Sequence, residues 1–278
     1  FAPLLGINTF GGRRDGFISI SVHGGQRYDF LYTFATMRKI VIAIDSFKGC
    51  LTSAEAEAAC AEGIRQVCPH CHIISVPIAD GGEGMLDALS VLRGEKIQVR
   101  VQGPLKKEVD AHYLILPDKK TAYIEMASAS GLTLVPPEKR NPMLTSTYGT
   151  GQLMRHAIEH GCRRLVIGLG GSATNDGGMG MLKALGYRLL DCEGNELEGR
   201  GKDLDKVCRI DDRFVLPVIK DIQCTAACDV RNPFYGPQGA AYIFAPQKGA
   251  DADKVKILDE GLRNWANIIA HATGQDIT

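Results

Sequence analysis

The chain has 278 residues, 45% of them apolar and 23% charged, the balance of an ordinary globular protein with room for one large core or two moderate ones. Lys+Arg and Asp+Glu both number 32, and a formal charge of zero argues against a nucleic-acid surface or a polybasic membrane anchor. No apolar run approaches the roughly 20 residues that a membrane-spanning helix needs, so a soluble protein is expected.

The nine cysteines are an odd, scattered set, and the first 36 residues hold no continuous apolar stretch of the secretory kind. That pattern predicts reduced thiols and a cytoplasmic location. Residues 1–36 open on Phe1, carry Gly-Gly pairs at 11–12 and 24–25, and show no sustained period. They are expected to be an extension, non-native or disordered, with Met37 as the natural start.

Lys39–Asp45 (KIVIAID) reads as a strand. Thr52-Ser-Ala-Glu55 is a capping-box pattern opening a helix, with Ala56, Cys60, Ile64 and Val67 on one face until Pro69 stops it. A second strand, Ile73–Ile78, runs into Asp80-Gly-Gly-Glu-Gly84. Strand, helix and strand in that order predict a parallel α/β sheet.

Lys96–Gln102, Val109–Leu116 and Thr121–Met126 then follow as strands with no helix between them, an antiparallel meander. From Thr147 the alternation resumes: helix to His160, strand Arg164–Leu169, glycine-rich loop, helix to about Leu185, strand Tyr187–Asp191. A closing helix spaces Val255, Leu258, Leu262, Trp265, Ile269 and Ala272 three and four apart, a stripe that needs a core to cover.

The strongest local signal is Gly170-Gly-Ser-Ala-Thr-Asn-Asp-Gly-Gly178, between an apolar strand and a helix. Open α/β sheets bind ligands at that end. Glycines there let backbone amides approach an anion. Ser172, Thr174 and Asn175 add side-chain donors, and Asp176 is a candidate metal ligand or proton acceptor. Gly168, Gly170 and Ala173 also fit a dinucleotide fingerprint, with Asp191 near the ribose position, but Asn175–Gly178 prolong the loop past where that fingerprint starts its helix.

Asp45-Ser46-Phe-Lys48-Gly49 and Asp80-Gly81-Gly82-Glu83-Gly84 follow the first two strands and so share one rim of the sheet. A carboxylate at each strand end with Lys48 nearby suits phosphoryl transfer, which needs charge neutralisation by lysine and Mg²⁺ more than covalent chemistry. Helix capping by Asp45 and Asp80 is the plainer alternative. Thr147 and Thr150, at the start of a helix, either offer hydroxyls to an anion or cap the helix. Asp229 and Asn232 lie in a loop after a strand-like stretch, Ile222–Cys228, where ligand contact and turn chemistry are both open.

Other motifs are expected to be empty. Cys68-x-x-Cys71-His72 follows a helix rather than starting one, which removes the dipole a redox thiol uses. Cys224 and Cys228 read as core, and His156 with His160 as surface residues. No G-x-x-x-x-G-K-[ST] is present.

From Met37 to the C-terminus the chain resembles the bacterial glycerate kinase family. IVIAIDSFKGCLTSAEAEAACAEGI, PIADGGEGMLDAL, IEMASASGLTLVPPEKRNPMLTSTYGTGQL, GLGGSATNDGGMGMLKALG and ACDVRNPFYGPQGAAYIFAPQKGA carry the resemblance. It implies two α/β domains, one inserted in the other: residues 37–95 begin the first, 96–250 form the second, and 251–278 return toward the first. It also implies ATP and glycerate meeting in the cleft between the domains, Mg²⁺, and 2-phosphoglycerate as product. On the family's pattern Lys48 meets phosphate charge, and Asp176 binds Mg²⁺ or deprotonates the substrate hydroxyl. Asp45, Asp80 and Asp229 would contact metal or substrate, with the loop around Ser172–Asn175 on phosphate or carboxylate. Family members continue past Thr278 through another glycine-rich acidic loop, so the first domain is expected to be incomplete here. A dehydrogenase and a non-catalytic fragment are the competing readings.

Overall fold

In the computed structural model, residues 6–10, 17–21, 39–47 and 50–277 are described, and they divide into two units at Val91 and Leu92. Each unit has its own sheet.

The first unit holds β1 (Gly6–Phe10), β2 (Phe17–Ser21), β3 (Lys39–Ile42) and β4 (His72–Ser75), paired in that order. β2, β3 and β4 run parallel, with Lys39 opposite His72 and Ile42 opposite Ser75. β1 and β2 lie within residues 1–36, the stretch expected to be an extension. Phe-Ile-Ser-Ile-Ser alternates in period 2, a five-residue signal too short to stand out from sequence alone.

Helix α1 (Ser53–Val67) crosses between β3 and β4, and its predicted capping box is formed: Thr52 accepts the Glu55 amide while Glu55 accepts the Thr52 amide at 2.8 Å. Ala56 and Ala61 pack on Ile40, Ile42 and Ile44, whereas Val67, assigned to the apolar face, is 68% exposed at the last position of the helix. A short α2 (Met85–Ala88) ends this unit.

The second unit contains a mixed sheet built from β5 (Glu95–Gln102), β6 (Glu108–Ile115), β7 (Thr121–Glu125), β8 (Arg164–Gly168) and β11 (Gln223–Ala227). Its order is β11-β8-β7-β6-β5; the predicted meander β5-β6-β7 is antiparallel, and β7, β8 and β11 are parallel. Helices α3 (Met126–Ser130) and α4 (Tyr148–Glu159) cover one face, burying Leu153 and Ala157 among Tyr113, Ile124 and Leu165. β11 is an exposed edge, so Cys224 and Cys228 are surface thiols, not core.

After β8 come α5 (Met179–Ala184) and a separate antiparallel pair, β9 (Arg188–Leu190) and β10 (Arg209–Asp211). Helices α6 (Ala240–Phe244) and α7 (Ala252–Thr273) complete the unit. Asp251 caps α7 by accepting the Lys254 amide, and Gly274 ends it in a left-handed turn.

α7 belongs to the second unit. Leu258, Leu262 and Trp265 are fully buried against Met179, Leu189, Leu204 and Val207. Burial of side chains this size is worth about 1.5–3 kcal/mol each, which is why the stripe finds its cover locally.

The thiols are not all reduced: Cys68 pairs with Cys71 and Cys192 with Cys208, while Cys50, Cys60, Cys162, Cys224 and Cys228 stay free. Cys192 lies in the turn after β9 and Cys208 just before β10, so strand pairing itself brings them together. No described helix is long and apolar enough to cross a membrane.

Candidate functional site

The glycine-rich loop leaves β8 at the carboxyl end of three parallel strands. Its course is fixed by backbone bonds to the segment after β7: the Leu132 amide donates to Gly171 O at 2.8 Å and the Ala173 amide to Ser130 O at 2.9 Å. Thr145 adds a hydroxyl bond to Ala173 O at 2.8 Å.

Asp176 sits at the centre of this arrangement and is 1% exposed. Its Oδ2 accepts the Thr147 amide at 2.7 Å, the Thr147 hydroxyl at 2.8 Å and the Gly180 amide at 3.2 Å, while Oδ1 accepts the Gly178 amide at 3.2 Å. Burial raises its pKa above the ordinary carboxylate value, against the pull of those donors. The Thr147 hydroxyl in turn accepts the Met181 amide at 3.0 Å. One carboxylate and one threonine thus join the starts of α4 and α5.

That junction is tight. A Cβ at Gly180 would lie 2.2 Å from Ser146 Oγ and 2.5 Å from the Tyr148 amide, so only glycine fits there. Thr150 is fully buried and shares a hydrogen bond with Ser130 at 2.8 Å. Thr147 and Thr150 are therefore engaged with protein groups, and Thr147 holds the N-cap position of α4 without a side-chain capping bond.

Lys248, which sequence reasoning did not single out, lies beneath the loop at 6% exposure. Its Nζ donates to Ser172 Oγ at 2.8 Å and to Thr174 O at 2.5 Å. Burial pulls the ammonium pKa down to about 8, with the charge of Asp176 opposing the fall. The signal available in sequence was Pro246-Gln-Lys-Gly249, a short turn closed by a left-handed glycine that presses on the Arg140 backbone. Asn175, 8% exposed, keeps its Nδ2 without a partner, and so does the buried Nε of Arg140. Gly170 is half-buried and Gly171 exposed, so the loop has an open edge.

In the first unit, the parallel pairing of β3 with β4 puts Asp45 and Asp80 beyond the same ends of adjacent strands, as the sequence predicts. Asp45 accepts the Ser46 amide at 2.7 Å, and Asp80 accepts the Gly82 amide at 2.8 Å. Both carboxylates are half-buried, Gly81 and Gly82 are buried, and Glu83 is exposed. Lys48 lies outside the described residues. Glu57 is a further buried carboxylate here, its pKa raised by burial, with Oε1 unpartnered.

Asp229 is exposed on the loop after β11, and Asn232 donates to Gln238 O at 2.9 Å. His156 is half-buried, with Nδ1 3.0 Å from the Tyr113 hydroxyl, and His160 is exposed. The dinucleotide reading loses its frame: β9 is not in the sheet of β8, and Asp191 is held in its own turn by the Glu193 and Asn195 amides.

Residues 40–278 match the profile of the glycerate kinase family. A glycerate kinase of Halalkalibacterium halodurans is 47% identical over 242 residues, covering 87% of this chain and 64% of that protein. A glycerate 2-kinase of Escherichia coli K12 is 46% identical, covering 86% of this chain and 63% of its own length. A crystal structure of a provisionally assigned glycerate kinase 2 from Salmonella typhimurium LT2 superposes with a TM-score of 0.75 at 42% identity, over 86% of this chain and 64% of that one. The chain thus spans just under two thirds of the length of these relatives.

Proposed function

The chain belongs to the glycerate kinase family, and from that premise we propose that the protein transfers the terminal phosphoryl group of ATP directly to D-glycerate, giving 2-phosphoglycerate and ADP. The observation that carries this reading is the glycine-rich loop beyond β8, held open at one edge over the buried ammonium of Lys248. Phosphoryl transfer relies on positioned positive charge and hydrogen-bond donors more than on covalent chemistry.

Within this reading Asp176 is an organiser. Its oxygens hold Thr147, Gly178 and Gly180 and it has almost no surface, so it fits neither a metal ligand nor a base that must reach substrate. No three His, Cys, Asp or Glu side chains are grouped for a cation among the described residues. ATP is taken as its Mg²⁺ complex, the form in which the metal neutralises phosphate charge. Asp45, Asp80 and Asp229 keep enough exposure for metal or substrate contact, and Lys48 is assigned to phosphate charge.

The test is to supply D-glycerate and MgATP to the protein extended to the length of its relatives and to identify the product by phosphorus NMR. 2-Phosphoglycerate with equal ADP is expected. Formation of 3-phosphoglycerate alone would overturn the position of transfer, and absence of ADP the activity.

A further inference from the structure

Strand β3 ends at Ile42, and the chain continues through Ala43 and Ile44 before it reaches Asp45. Buried backbone groups past a strand's last ladder bond need other partners. Ile44 is 4% exposed and finds its partners on α1. The Ser53 hydroxyl donates to Ile44 O at 2.6 Å, and the Glu57 carboxylate accepts the Ile44 amide. Ser53 and Glu57 stand one helical turn apart, so one face of α1 grips both backbone groups of the residue that precedes Asp45. Phe47 and Leu51 exchange backbone bonds at 2.9 and 3.1 Å just before the Thr52 cap, which turns α1 back toward Ile44.

Glu57 also reaches the Val76 amide, which it shares with Ile42 O at 2.8 Å from that amide. Val76 is the first residue past β4, on the way to Asp80. The same carboxylate thus meets backbone beyond both strands that lead into the acidic loops. Keeping it there costs stability, because Glu57 is 2% exposed and its Oε1 has no partner. Ala56 and Ala61 show what core packing alone asks of α1, and an apolar residue at position 57 would avoid a half-satisfied buried carboxylate.

We propose that Ser53 and Glu57 are positioning residues for the reaction: by holding the backbone of Ile44 they set where Asp45 presents its carboxylate to metal or substrate. The proposal rests on the kinase reading for what Asp45 does.

Steady-state kinetics of the protein extended to its relatives' length tests it, with Glu57→Ala, Glu57→Gln and Ser53→Ala made in the parent and in an Asp45→Asn background. Glu57→Ala should lower kcat/KM by about 10-fold or more, since small displacements of a contacting group slow the chemical step. Glu57→Gln keeps an acceptor oxygen for the Ile44 amide and should recover most of that loss, and Ser53→Ala should lower kcat/KM by about threefold. In the Asp45→Asn background Glu57→Ala should change the rate by less than about twofold, because the group it aims is already disabled. A residue that merely supports the fold would subtract its full effect from both backgrounds. Full additivity, Asp45→Asn at parental activity, or Glu57→Ala within about twofold of the parent would each overturn the proposal. If Glu57→Ala does not fold, Ser53→Ala in the two backgrounds decides. If the parent does not turn over D-glycerate, the kinase reading falls, and amide hydrogen exchange in the 278-residue chain decides the grip on Ile44 instead. Glu57→Ala should then speed exchange at Ile44 by about 10-fold or more while Ile167 in the second unit is unchanged, and equal rates at Ile44 would overturn it.

Discussion

The loop beyond β8 and the acidic loops beyond β3 and β4 each follow a parallel strand, yet they are held in different ways. In the first, Asp176 bonds to residues up to 29 positions away and Lys248 reaches 76 positions back, both at under a tenth exposure. In the second, Asp45 and Asp80 are half-buried and accept amides one and two residues on. Long-range bonds between buried groups fix a loop before any ligand arrives; neighbour bonds shape a turn and leave its side chain near solvent. The contrast teaches that a carboxylate in a glycine-rich loop is read by its partners, not by its residue type.

The largest test of that contrast is Asp176→Ala. It strips acceptors from the Thr147 amide and hydroxyl and from the Gly178 and Gly180 amides. Stranded buried donors of this kind should lower unfolding free energy by about 3–5 kcal/mol, read from denaturant titration. A loss under 1 kcal/mol would return Asp176 to the list of candidate bases.

Next comes pH. Lys248 has a folded pKa of about 8, below its unfolded value, so between about pH 8 and 10.5 the unfolded chain binds more protons. Stability contributed by this residue therefore rises with pH through that window, by roughly 3 kcal/mol in all, and is lost again as pH falls through 8. Comparing parent and Lys248→Met across this window isolates the trend; parallel curves would contradict it.

Gly180→Ala should cost about 1–3 kcal/mol, because the added methyl meets Ser146 Oγ and backbone amides at the start of α4. A melting temperature equal to the parent's would mean the junction yields easily. The smallest effect belongs to the other region: Asp45→Ala removes the bond to the Ser46 amide and should cost only about 0.5–1.5 kcal/mol. If it destabilises as much as Asp176→Ala, the two regions do not differ as described.

Much of the fold is legible in the sequence because local signals carry it. The Thr52–Glu55 box, the unbroken meander before β8 and the three-four spacing in α7 all depend on neighbours within a few residues. The loop after β8 is legible too, by its glycines. What sequence reasoning missed depends on residues far apart. The bond from Thr147 to Asp176, the seat of Lys248 under Thr174 and the Cys192–Cys208 pair exist only once strands and helices have been assembled. The cover for Leu258, Leu262 and Trp265 is of the same kind, drawn from α5, β9 and the Leu204–Val207 stretch rather than from another domain.

A crystal structure of the protein extended to its relatives' length, with D-glycerate and a non-hydrolysable MgATP analogue bound, tests the central claim most directly. The account predicts Asp176 still bonded to Thr147, Gly178 and Gly180 with no metal on it, and an anionic oxygen at the open edge of the loop over Lys248. Asp176 turned onto the Mg²⁺, or that loop left empty while both ligands bind elsewhere, would contradict it.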